Sequence, residues 1–160
     1  MKTRSMAPGV LFLAWLLTVP PFAFAQVERV IVEAEGMKDA CVPGLQAALE
    51  SMPSVYKYAI SVEKQMFTVI YKAGEKLDTK RLYWAADKGE AGVKAIHLFA
   101  RGTIHEEDGR QIFISGENRF LIVSTQKLPP DVTIGIVGVV DDSKELMPLK
   151  PDDFQVLKEN

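Results

Sequence analysis

The chain has 160 residues, of which 48% are hydrophobic and 25% charged, with a net charge of −2 at neutral pH. That composition excludes a disordered polar chain, and the length suffices for one domain or two small ones. The slight acidic excess argues against a general binder of nucleic acid or anionic membranes, and a single cysteine rules out an internal disulfide, so stability must come from a packed core.

Residues 1–25 read as a secretory signal peptide. Lys2 and Arg4 give a basic start, Val10 to Val19 is an apolar run too short to span a bilayer, and Ala23-Phe24-Ala25 is a small-x-small cleavage site after Pro20-Pro21. The expected mature chain begins at Gln26. Without Lys2 and Arg4, seventeen cations remain against twenty-one carboxylates, a net charge of −4. No later run is long enough for a membrane helix and no cysteine stands at the cleavage site to take a lipid. The expected product is therefore soluble, without a membrane anchor, in the periplasm or secreted.

From Val27 to Glu35 apolar and polar residues alternate, the period of a half-buried strand. A polar turn at Gly36-Met37-Lys38 leads to a helix on which Val42, Leu45, Leu49 and Met52 recur along one face. Asp39 is the expected N-cap, and Pro43 is tolerated in the first turn, where N–H groups lack helical partners. Cys41 then falls at the positive end of the helix dipole, which favours thiolate and hence nucleophilicity or soft-metal binding. A small apolar residue packed under the loop is the competing reading. Ser51 to Ser54, with Pro53, stops the helix.

Val55 to Val62 and Met66 to Tyr71 form an expected hairpin with Tyr58, Ile60, Val62, Phe67, Val69 and Tyr71 on one face. Asp78 or Thr79 should cap a second helix carrying Leu82, Ala85 and Ala86, which ends near Gly89 to Gly92. Val93 and Ala95 begin a further strand. This order of strand, helix, strand, strand, helix, strand predicts a four-stranded antiparallel sheet with both helices on one face. Beyond it no helical period appears. Strands are expected at Ile96 to Ile104, Gln111 to Ser115, Arg119 to Thr125, Val132 to Val140 and Phe154 to Leu157, a spacing that suggests a small barrel. One strand near Ala95 to Leu98 can serve both parts, which leaves little hinge freedom.

The residues Cys41-Val42, Leu45, Ala48-Leu49, Met52-Pro53 and Val55, continued through Tyr58, Ile60, Val62, Phe67, Val69 and Tyr71, resemble the heavy-metal-associated domain of copper and mercuric-ion carriers. That family places a Gly-Met turn before Cys-x-x-Cys; here Lys38 replaces the first cysteine and Gly36-Met37 sits one residue closer. The glycine-bearing segments Arg101 to Ile104 and Val132 to Val140 resemble an OB-fold more loosely. The resemblances imply an α+β chain: residues 1–25 as signal peptide, 26–97 as a ferredoxin-like βαββαβ sandwich, and 98–160 as a small OB-like β-barrel. They imply a soft metal ion, Cu(I) or Hg(II), held by Cys41, with Met37 as the nearest candidate second ligand or a second Cys41 in a homodimer. The alternative is a non-catalytic periplasmic adaptor that kept the fold and lost the metal, with Lys38 filling the vacancy. No catalytic constellation is visible: His97 lies in an apolar strand and His105 beside Glu106 and Glu107, neither in a recognisable motif. The expected partner is a metal ion or another exported protein, not nucleic acid.

Overall fold

A computed structural model describes residues 25–158, so the signal-peptide reading lies, but for Ala25, outside the described residues. The elements in chain order are β1 (Gln26–Glu35), a 3-10 turn (Asp39–Cys41), α1 (Val42–Glu50), β2 (Val55–Ser61), β3 (Met66–Tyr71), α2 (Thr79–Lys88), β4 (Gly92–Glu107), β5 (Arg110–Ser115), β6 (Asn118–Ile122), β7 (Thr133–Val140) and β8 (Met147–Val156). No helix among them is long and apolar enough to cross a membrane.

The expected ferredoxin-like βαββαβ sandwich followed by an OB-like barrel is not the architecture. Among the described residues all eight strands belong to one mixed sheet, ordered β2-β3-β1-β4-β5-β6-β8-β7, and two α-helices of nine and ten residues accompany it, so the described part is mostly β. The cause is β4. Over its sixteen residues Ile96, Leu98, Ala100, Gly102 and Ile104 are all buried, a period-2 row with no interruption at which the sheet could be divided.

One edge of β4 pairs with β1 from Gly92 to Arg101 and then, from Thr103 onward, with β5. The opposite edge pairs with β7 from Ile96 to Thr103. Through β5–β6, the parallel pair β6–β8 and the antiparallel pair β8–β7, the sheet returns to β4 and closes a ring. The boundary expected between residues 97 and 98 falls in the middle of this strand. Where β4 exchanges β1 for β5 the backbones come very close: a Cβ at Gly102 would lie 2.1 Å from the Ile114 carbonyl oxygen. Only glycine fits there.

A single core follows from the shared strand. Val30, Val32, Phe67 and Val69 under α1 and α2 belong to the same buried cluster as Phe113, Phe120, Ile134 and Leu149 inside the ring. Leu45, Ala48 and Leu49 of α1 and Leu82, Ala85 and Ala86 of α2 close it from above, each set at the three- and four-residue spacing that keeps one helix face apolar. Asp78 caps α2 as expected, its side chain accepting from the Arg81 N–H at 3.1 Å.

Three loops are pinned by amide side chains acting as stand-ins for a strand neighbour. Gln65 accepts from the Met37 N–H at 2.9 Å and donates to the Met37 carbonyl at 2.8 Å. Gln111 does the same for Leu128, at 3.0 and 2.8 Å. Asn118 accepts from the Leu77 N–H at 2.8 Å and donates to the Ser115 carbonyl. Met37, Leu77 and Leu128 are all buried, so each amide satisfies backbone groups that water cannot reach.

Candidate functional site

Cys41 lies where β1 has ended and the chain turns back over the sheet. Lys38 is extended, Asp39 to Cys41 form one 3-10 turn closed by the Cys41 N–H on the Lys38 carbonyl at 2.9 Å, and α1 starts only at Val42. Asp39 therefore does not cap α1. The N-cap position belongs to Cys41, whose side chain makes no capping bond, and Pro43 occupies the first turn as its missing N–H allows.

The start of α1 is pressed against the end of α2. A Cβ at Gly44 would stand 2.2 Å from the Lys88 carbonyl oxygen, so this contact requires glycine. The positive end of one helix thus meets the carbonyl end of the other, and the dipole advantage expected for Cys41 is opposed at its source. Just beyond α2, Glu90 adopts a left-handed backbone, φ +52°, and its carboxylate reaches the thiol: Cys41 Sγ donates to Glu90 Oε2 at 3.3 Å.

The hydrogen bond to Glu90 holds the Cys41 thiol above its ordinary range. Partial desolvation and the Glu90 charge add to the rise, while Lys38, through its charge and its backbone, pulls the other way by less. The expected activated thiolate is thus replaced by a protonated thiol engaged with a carboxylate, a poor nucleophile at neutral pH.

The other two expected site residues are placed apart in character. Met37 is 3% exposed and its thioether is part of the core, whereas Cys41 is half-buried at the surface and Lys38 is exposed. The residue brought to the thiol is Glu90, forty-nine positions along the chain. Sequence reasoning missed it because an acid after a helix end carries no local mark of its partner. His97 bonds Glu33 at 2.9 Å across β4 and β1, and His105 bonds Thr103 at 2.9 Å, so neither serves Cys41. Among the described residues no group of three or more histidine, cysteine and acidic side chains is arranged to hold a metal ion.

A concavity of about 770 Å³ lies elsewhere, where the start of α2 faces the segment 142–147. Lys80, Arg81 and Lys144 share its lining with Asp78, Asp142 and Glu145, so cations and carboxylates alternate around it rather than converging by sign. Comparison with protein-family models finds no match for this chain, and comparison with curated proteins finds none either.

Proposed function

We propose that this chain is a non-catalytic exported binding module that works without a soft metal at Cys41. The observation carrying this reading is the Glu90 carboxylate on the Cys41 thiol at 3.3 Å, in the place where a carrier of Cu(I) or Hg(II) needs a second soft donor. Recruiting Met37 instead would draw a buried side chain out of the core, at a cost of about 1.5–3 kcal/mol. Lys38, at the family's first cysteine position, adds a positive charge that repels a cation.

The test is a Cu(I) titration against a competing chelator, run on wild type, Cys41→Ser and Lys38→Cys. Wild type and Cys41→Ser should compete equally poorly, and Lys38→Cys should gain a stoichiometric site by supplying a second thiolate. Stoichiometric Cu(I) capture by wild type that Cys41→Ser abolishes would return the protein to the metal carriers.

A further inference from the structure

The solvent face of α2 differs from the rest of this acidic chain. At 100° per residue Trp84 stands at the middle of that face, opposite buried Leu82 and Ala86. Lys80 and Lys88 lie one turn before and after it, with Arg81 following Lys80 in the earlier turn, and all four side chains are exposed. Trp84 is 42% exposed, and Lys88 Nζ sits 5.8 Å from its ring centroid. Tyr83, equally exposed, flanks the stripe on the other side and donates its hydroxyl to Asp142. Counter-charges flank the stripe: Asp87 lies on the Tyr83 side, Asp142 accepts from the Tyr83 hydroxyl, and Asp78 is 3.9 Å from Arg81.

We infer that the stripe Lys80–Trp84–Lys88, with Arg81, is a docking surface for an anionic phospholipid membrane. Charge complementarity selects the sign of the partner: within α2 itself Lys80, Arg81 and Lys88 stand against Asp87 alone, in a chain whose overall charge is negative. Screening confines the interaction to charges within about 10 Å of the bilayer, so carboxylates on the far side of the molecule do not cancel it. Shape selects a flat partner. The concavity at Trp84 is bounded by Lys80, Arg81 and Trp84 alone, which is too little to enclose a peptide strand or helix. The two lysines and the indole instead form a line about 12 Å long on a convex surface. An amphipathic indole flanked by cations is the arrangement that settles at headgroup depth, the ring among glycerol groups and the ammoniums on phosphates.

The chain from Gln26 onward contains every described element and a single tryptophan, Trp84, since the other is Trp15. Its intrinsic fluorescence therefore reports on this surface alone. We expect a blue shift and co-sedimentation with vesicles of phosphatidylcholine and phosphatidylglycerol, neither with phosphatidylcholine alone, and reversal of both in molar salt. K80Q/K88Q, which keeps the tryptophan, should lower partitioning roughly thirtyfold, two surface cations being removed. Cys41→Ser should bind vesicles like wild type, which separates this inference from the reading of Cys41. The inference is overturned by the absence of a shift on anionic vesicles, by an equal shift on phosphatidylcholine alone, or by K80Q/K88Q partitioning unchanged. It is overturned as well if soluble polyglutamate produces the same shift and displaces the vesicles, for the partner is then an acidic polypeptide. Should K80Q/K88Q fold poorly, the salt and lipid dependence of the wild type decides.

Discussion

Glu90 determines how Cys41 responds to pH, because the carboxylate that accepts the thiol proton also repels the thiolate that would remain. Alkylation of Cys41 should therefore reach half its limiting rate at a higher pH than a free cysteine, whose ordinary value is about 8.5. Replacing the acid by Glu90→Gln should move that midpoint down and speed alkylation at neutral pH; a midpoint that stays put in the variant would remove Glu90 from the account. The linkage has a definite sign. A thiol whose pKa is raised by folding contributes stability below its unfolded value and loses it as the pH climbs through the folded one. Wild type should accordingly lose more of its melting temperature than Glu90→Gln in the alkaline range. At this scale the sequence was legible only in part: Cys41 and the exposed Lys38 can be found by eye, but Glu90 cannot. Met37 looked like a second ligand because it lies close along the chain, and it is in the core because an apolar side chain in a turn above a sheet gains more from burial than from water.

Among the elements, β1, the β2–β3 hairpin and α2 carry strong periodicity, and their limits follow it closely; β3 spans Met66–Tyr71 as the alternation predicts. The last strand was harder to see. β8 begins at Met147, seven residues before the expected Phe154, because Pro148 and Pro151 interrupt the pattern that marks a strand. Proline survives there where the ladder can spare an N–H, and the β7–β8 pairing shifts register between Val137 and Gly138, with Gly138 opposite Pro151. The amide clasps were illegible for a different reason. Gln65, Gln111 and Asn118 bond backbone groups 28, 17 and 41 positions away, and no local pattern in the sequence records such a partner. Their contribution is measurable. Gln111→Leu keeps the side-chain volume near its present value but strands the Leu128 N–H and carbonyl, so it should cost about 1–3 kcal/mol in urea-induced unfolding. A loss within error of zero would mean that the 123–131 segment does not depend on the clasp.

For the whole molecule the decisive fact is that every residue of β4 from Ala95 to Glu107 has a strand partner, which leaves no break at which two halves could separate. The helices cover one end of a core whose other end fills the ring, and both ends hang on the same strand. Calorimetry should show one transition, since breaking β4 exposes both ends at once. Gly102→Val drives a side chain into the Ile114 carbonyl and should lower that single transition by about 3 kcal/mol or more rather than split it. Two well-resolved peaks, in wild type or variant, would contradict the shared core. Fold class was the property least legible here. Both helices and every strand but β8 could be assigned from their own period, yet the pairing of β4 with β1, β5 and β7 is a choice among partners, and periodicity describes faces without naming neighbours.

Closure of the ring also decides where this protein is exposed to its own kind. Among the described strands β2 has a neighbour on one side only, pairing with β3 alone, and so does β8 beyond Leu149, which pairs with β7 alone. A bare margin is where chains in a concentrated solution stitch together into fibrils. The β2 margin is guarded: an irregularity between Val55 and Lys57 bends the strand, and Lys57 would bring its charge into any chain that tried to lie alongside. Within β2 resistance to edge pairing thus rests on seven residues, Val55 to Ser61, while β8 carries Pro151 and the acidic pair Asp152-Asp153 along its own open stretch.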